Sequence, residues 1–558
     1  MTELLSDIET QQAHRAVDIS VVAGKLGLTE DDLIRYGRYV AKVETQLKQG
    51  VDGKLILVTA LTPTKAGEGK TTTTIGLTQA LDSLGHRVAC TLRQPSMGPV
   101  FGVKGGATGG GLAQVYPMWQ IDLEFTGDFH AITAAHNLLA ALIDNHLAKD
   151  NSLQIDSTRV TWPRAMDIND RALRKIVVGL GGRVKGGTPR EDGFVITAAS
   201  EIMAVLALSR DLAELKERLG NITVAYTYGG QPVLARDLKA VGAMALILRD
   251  AIKPNLVQTL SGAPALIHCG PFGNVAHGTA SIRSIMTALK TCDYVINECG
   301  FGSDLGAEKF VDIICRRFGL LPAAVVIVCS CRALREHGGC TYKECKEPNL
   351  GALQAGVGNI DAHVDIIKGF GLKPVVAINK FPADSDEELQ WLADHFTEIG
   401  VPAALSEVYE KGVEGGMDLA QKVIEVVTSD PVPEIQYAYD LDDPIKEKIF
   451  KIATKVYGAG TIAYSPDALK TLQQIEAREG ATRYPICMAK TQASLSDDPN
   501  KLGVPKGYTL TINDVKIYTG AEFIVPVCGD VLLMPGLSDA PAAEGMDIDD
   551  DGHVSGLY

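Results

Sequence analysis

Six short runs of apolar, mostly β-branched residues stop abruptly at glycine, proline or a polar side chain. They are "KLILVTAL" (54–61), "RVACTL" (87–92), "ALIHCG" (265–270), "YVINECG" (294–300), "AAVVIVCS" (323–330) and "KPVVAINK" (373–380). Runs so short and so uniformly apolar predict strands buried on both faces. Segments of helical texture alternate with them, among them "IGLTQALDSLG", "TASIRSIMTALKTC" and "GAEKFVDIICRRFG". The alternation predicts an α/β fold with a doubly wound, mostly parallel sheet. Reactive groups in such sheets gather just beyond the carboxyl ends of the strands. That rule points to residues 62–70, 93–99, 268–274, 298–304 and 379–382.

The stretch from about 150 to 245 is too long for one crossover and carries helical texture of its own in "TAASEIMAVLALSRDLAELKERLG". It reads as a subdomain inserted into a core spanning 1–430. Beyond that the texture changes. A helix near "DDPIKEKIFKIATKVYG" leads to strand-like "YTLTINDVKIYTG" and "EFIVPVCG", so 431–558 is expected to form a smaller C-terminal α+β domain.

Length and composition narrow the classes. A chain of 558 residues with 46% apolar and 22% charged residues reads as an ordinary globular enzyme of more than one core. Its net charge of −15 argues against nucleic-acid binding, which needs a surplus of Lys and Arg. The opening "MTELLSDIETQQAHRAVDIS" lacks the basic and apolar regions of a signal peptide, and "VITAASEIMAVLALS" is too short to span a bilayer. A cytoplasmic protein without membrane partners is the expectation. Eleven cysteines in so long a chain imply no disulfide framework. The cluster Cys329, Cys331, Cys340 and Cys345 reads as strand-end and loop thiols, because its first spacing is unsuited to zinc.

Chemistry first appears in "TPTKAGEGKTTTT" (62–74), between an apolar strand and an amphipathic helix. The phosphate-binding pattern G-x-x-x-x-G-K-S/T ends in Gly69, Lys70 and Thr71, but Thr64 stands where the first glycine belongs. What matters physically is retained. Gly67 and Gly69 allow backbone N–H groups close to an anion, and the following helix presents its positive end. Residues 64–71 (Thr64, Lys65, Ala66, Gly67, Glu68, Gly69, Lys70 and Thr71) are thus a nucleotide-binding candidate in a P-loop NTPase-like core. Lys70 would reach the β- and γ-phosphates, and Thr71 would join a Mg²⁺ shell. Lys65, five residues before Lys70, also occurs in switch ATPases of the partition type, which supply the alternative reading.

Arg93 ends the second strand, where a guanidinium can clamp an anion. Lys104 follows in a loop with six glycines between 102 and 111, a segment suited to closing over substrate. Asp128 reads either as a site acid or as a helix cap. His130 and His136 read as structural.

Several long blocks then resemble one family, the formate–tetrahydrofolate ligases (10-formyltetrahydrofolate synthetases) of monofunctional bacterial type. They are "TPTKAGEGKTTTTIGL", "LRQPSMGPVFGVKGGATGGGLAQVYPM", "FTGDFHAITAAHNLLAALIDNHL", "GPFGNVAHG" and "NECGFGSDLGAEKF". The resemblance implies joining of formate to tetrahydrofolate with MgATP, through formyl phosphate, giving 10-formyltetrahydrofolate, ADP and phosphate. It also implies a homotetramer assisted by ammonium or potassium, and a folate substrate with or without a polyglutamate tail.

Carried over by motif, the resemblance places Lys70 and Thr71 on nucleotide and metal. It gives Arg93 the grip on formyl phosphate and makes His268 a lesser catalytic candidate. Gln94, Asp128, Phe301, Phe381, Leu405 and Tyr409 would line the folate pocket, with aromatic rings stacking on the pterin. Three positions depart from the family pattern. Gln94 replaces a glutamate, Lys65 a proline, and Tyr409 a tryptophan whose larger face would cover more of the pterin.

Overall fold

In the computed structural model, residues 5–44, 52–65, 67–102, 107–429, 434–529 and 531–557 are described. Ala66 and Lys104 lie outside them. The centre is a 12-stranded sheet. In chain order its strands are β1 (Leu33–Arg35), β2 (Ala41–Val43), β3 (Lys54–Ala60), β4 (Val88–Leu92), β5 (Gly109–Gly110) and β6 (Ala113–Tyr116). They continue as β7 (Asn255–Thr259), β8 (Pro264–Ile267), β9 (Tyr294–Glu298), β10 (Pro322–Cys329), β11 (Pro374–Asn379) and β12 (Ala403–Ser406). The spatial order is β1-β2-β7-β8-β4-β9-β3-β10-β11-β12, with β6 also against β7 and β5 against β6.

From β8 to β12 every neighbouring pair is parallel. The β1, β2, β6 and β7 pairings at the other edge are antiparallel. The class is therefore mixed α/β with a mostly parallel sheet, and all six expected strands belong to it. β12, β7, the β1–β2 hairpin and the β5–β6 pair are additions. Their apolar runs are short or broken by Lys42, Asn255 and Gln258, which gives no continuous signal.

The uninterrupted apolar runs have a direct cause. Successive side chains point to opposite faces, and both faces are covered. Leu55 and Leu57 of β3 join one buried cluster, whereas Ile56, Val58 and Ala60 join the other. β10 divides likewise, Val325 and Ile327 to the first face, Ala324, Val326 and Val328 to the second. Helices Ile282–Thr291 and Gly358–Gly369 cover the first face through Ile285, Ala288, Ile360 and Val364. Helices Lys70–Ser83 and Met417–Ser429 cover the second through Ile75, Leu77, Leu419 and Val423. Each such buried aliphatic side chain contributes roughly 1.5–3 kcal/mol.

The segment between β6 and β7 builds a small antiparallel sheet, Thr223–Thr227 between Ile155–Val160 and Pro232–Leu234. The region after 434 builds a small mixed sheet, with Thr509–Tyr518 parallel to Thr461–Tyr464 and antiparallel to Phe523–Cys528. These two regions touch. Glu201 accepts the Gly520 N–H at 2.7 Å, and Ile196 N–H donates to Leu533 O at 2.8 Å. The region after 434 also reaches the centre, where Lys490 pairs with Asp304 at 2.8 Å, both fully buried. No helix among the described residues is long and apolar enough to cross a membrane.

Candidate active site

The strand order brings the ends of β4, β9, β3, β10 and β11 side by side. The turn after β3 is shaped by Gly67 and Gly69, both with φ near +76°, and Gly69 caps the Lys70–Ser83 helix. A side chain at Gly69 would place its Cβ 2.3 Å from Asn379 Nδ2, so glycine is required twice over, by conformation and by space. Thr64 has a definite role. Its N–H and hydroxyl both donate to Glu68 Oε1, at 2.9 and 2.8 Å. Ser330 Oγ donates to Glu68 Oε2 at 2.6 Å, and Asn379 Nδ2 to Glu68 O at 3.1 Å. Glu68 thus pins the turn to the end of β10 through its buried carboxylate and to the end of β11 through its backbone carbonyl. Lys65 projects outward, exposed.

Glu298, last residue of β9, is the hub on the other side. Its Oε2 accepts the Thr71 hydroxyl at 2.5 Å, and its Oε1 lies 3.9 Å from Arg93 Nη2. Burial lowers the Lys70 pKa, as does the nearby Arg93, while Glu298 and Glu68 oppose the shift. Lys70, Thr71 and Arg93 are therefore gathered around one carboxylate, although they come from two different strand ends. Arg93 Nη1 donates to Pro271 O at 3.2 Å. Gly300 leaves room for the guanidinium, since a Cβ there would sit 3.1 Å from Nη2. Neither Glu298 nor Asn379 was singled out from sequence. Both lie in the strand-end windows where such groups were to be sought.

Asp128 is the first residue of the Asp128–Ala148 helix, with Gly127 as the cap. Its carboxylate pairs with Lys42 Nζ at 2.7 Å and accepts Asn255 Nδ2 at 2.8 Å, with both charged side chains at most 2% exposed. Lys42 also donates to Asn255 Oδ1 and Lys253 O, at 2.9 and 3.2 Å. Nothing in the chain pattern announces this lysine, which sits in a three-residue strand.

The remaining candidates divide. Phe301 follows Gly300 with φ near +61° and packs against Gly273. Gln94 is buried beside Arg93, and neither amide atom finds a hydrogen-bond partner among the described residues. Phe381, Leu405 and Tyr409 belong to the β11 and β12 ends, where Arg332 stacks over Phe381 at 4.5 Å. The bases of Phe301 and Phe381 are three strand spacings apart, about 14 Å. Tyr409 lies against Gly110 and Gly111, its hydroxyl 3.4 Å from Asp7 Oδ1.

His268 departs from its expected role. It is fully buried, Nδ1 against Ser281 Oγ and Nε2 against Ala251 O, each at 2.6 Å. Burial pulls its pKa down to about 4. With both ring nitrogens committed to the protein, no atom is left to reach a substrate. His136 is structural in the same way, held by Ser200 and Pro163 O and stacked on Trp162. Among the described residues no group of three or more His, Cys, Asp or Glu could hold a metal ion, and Cys329, Cys331 and Cys345 are fully buried.

A model of the family described as formate–tetrahydrofolate ligase matches residues 5–558. The formate–tetrahydrofolate ligase of Symbiobacterium thermophilum is 51% identical over 560 residues, covering all of both chains. A match of that extent leaves the switch-ATPase alternative without support. The Thr71–Glu298–Arg93 constellation therefore sits in a chain that belongs to the formate–tetrahydrofolate ligase family and is a ligase of that type.

Proposed function

We propose that the protein uses ATP to convert formate to formyl phosphate at the β3–β9–β4 strand ends, and then passes the formyl group to N10 of tetrahydrofolate. The products are 10-formyltetrahydrofolate, ADP and phosphate. Formate alone carries no leaving group, so an amine cannot displace anything useful from it; phosphorylation supplies one. The observation that carries the reading is the gathering of Lys70, Thr71 and Arg93 around Glu298.

On this reading the turn at 64–71 is a P-loop-like cradle. Its glycines and the helix start offer N–H groups to the β- and γ-phosphates, and Lys70 adds a cation. Thr71 and Glu298 present only oxygen donors, which suits Mg²⁺; bound there, it would neutralise charge on the transferring phosphoryl group. Arg93 holds the transferring group from the opposite side, and its fixed charge costs no reorganisation during the reaction. Gln94 and Phe301 would receive the folate on the β4–β9 side, with Asp128 farther out at the β2–β7 edge, and Phe381, Leu405 and Tyr409 on the β11–β12 side. The cytoplasmic homotetramer, the monovalent cation and the polyglutamate tail belong to the same proposal, on family grounds alone.

The test is incubation with MgATP, formate and tetrahydrofolate, followed by acid conversion of product to the 5,10-methenyl chromophore. Arg93→Ala should abolish the chromophore far more than it weakens ATP binding. Rapid ATP hydrolysis without formate or folate, and no chromophore, would overturn the reading.

A further inference from the structure

His268 is silenced by its partners, but nine residues on His277 has none. It is fully buried, and neither Nδ1 nor Nε2 finds a hydrogen-bond partner among the described residues. The loop that carries it, 270–278, is tied to the site at several points. Gln94 N–H donates to Cys269 O at 2.7 Å, and Arg93 Nη1 to Pro271 O at 3.2 Å. Lys309 Nζ donates to Gly273 O at 2.7 Å, and Gly300 N–H to Gly278 O at 2.8 Å. The loop doubles back so tightly that a Cβ at Gly278 would meet Gly273 Cα at 2.6 Å.

The unmet polar atoms here are concentrated. Besides both His277 nitrogens they include Arg93 Nε and both amide atoms of Gln94, on adjoining stretches of chain. Each unsatisfied buried donor or acceptor costs about 1–3 kcal/mol. A fold carrying several together, at the ends of its parallel strands, is built for a polar occupant. Burial, then the Lys309 and Arg93 cations, lower the His277 pKa to about 3. Burial and these neighbouring cations favour the neutral imidazole, which has one N–H to give.

We infer that His277 is a substrate-contacting residue, donating its ring N–H to the formyl oxygen beside Arg93. This deepens, and rests on, the ligase reading. As the N10 lone pair forms the new C–N bond, negative charge builds on that oxygen. The C–O bond to phosphorus then breaks, phosphate leaves with the electron pair, and the N10 proton passes to the phosphate. A neutral imidazole donor stabilises the intermediate without itself gaining or losing a proton, as an oxyanion-hole donor does.

The experiment compares wild type, His277→Phe and His277→Gln. Phenylalanine fills the volume and removes both unmet groups, so the ligand-free melting temperature should equal or exceed that of wild type. Formylation of tetrahydrofolate should nevertheless fall about 100-fold, with a raised KM for formate and unchanged ADP affinity. Glutamine, which keeps a donor, should recover most of that loss. A folded His277→Phe enzyme with wild-type formate KM and rate overturns the assignment, as does a His277→Gln enzyme no better than His277→Phe. Should phenylalanine prevent folding, His277→Ala takes its place, and a wild-type formate KM in that variant also overturns it. A wild-type protein that makes no 10-formyltetrahydrofolate overturns the ligase reading as well; a competent wild type with indifferent variants overturns only the role of His277.

Discussion

Thr71 and Glu298 are 227 positions apart in the chain, yet the threonine hydroxyl donates to the glutamate at 2.5 Å. β9 lies next to β3 in the sheet, so the last residue of one strand faces the turn that follows the other. The same carboxylate is the nearest acidic neighbour of Arg93 on β4. Glu298→Gln keeps shape and removes charge. It should lower kcat/KM by about 100-fold, the usual loss for a fixed electrostatic group, with little change in melting temperature. Steady-state kinetics and calorimetry on the same preparation check both halves.

Gly69→Ala sets a backbone demand against space. The residue would need φ near +76° and would drive its Cβ into Asn379. Conformational strain alone costs about 1–3 kcal/mol. ADP affinity should drop more than global stability, because the deformation is confined to the turn. Equilibrium binding of ADP, read beside urea unfolding, separates the two.

Lys42→Met should be destabilising by about 3–5 kcal/mol, since it leaves the buried Asp128 carboxylate without its cation. The double variant Lys42→Met/Asp128→Leu should regain most of that stability while remaining impaired in tetrahydrofolate binding. Denaturant unfolding of both single variants and the double gives the coupling directly.

Tyr409→Trp should tighten tetrahydrofolate binding by enlarging the stacking face at the β12 end. Tyr409 is 40% exposed, so the larger ring has room. Direct titration measures this; unchanged affinity removes Tyr409 from the folate pocket.

Three buried carboxyls contribute a stabilisation that falls as pH rises, opposite in sign to that of the buried neutral histidines. Burial raises the Glu201 carboxyl to about 7, despite hydrogen bonds from Gly520 and Ala521 N–H groups. Burial likewise raises Asp167 to about 6 and Asp122 to about 8. Between the ordinary carboxyl range and these values, these three groups bind more protons in the folded state than in the unfolded one. The stabilisation is therefore complete at or below about pH 4 and is lost as pH rises through 6 to 8. For Glu201 the shift corresponds to about 3 kcal/mol, at 1.36 kcal/mol per pKa unit. The melting temperature of Glu201→Gln relative to wild type should therefore rise between pH 5 and 8.

The sequence by itself determined the strands that are buried on both faces and the turn between β3 and its helix. Both are local. An apolar run covered on two sides cannot be polar at alternate positions, and a tight turn of this kind needs its glycines close together in the chain. Blocks of matching residues likewise implied the family. The tertiary structure alone decided which of the named groups meet. Glu298 becomes a hub because the order β4-β9-β3 interleaves distant strands, and Asp128 is neutralised by a lysine from a three-residue strand. His268 and His277 are nine residues apart, one at the end of β8 and the other in the loop that follows. His268 is committed to Ser281 and Ala251 O, while the His277 ring nitrogens find no partner among the described residues, and no local pattern of side chains encodes that difference.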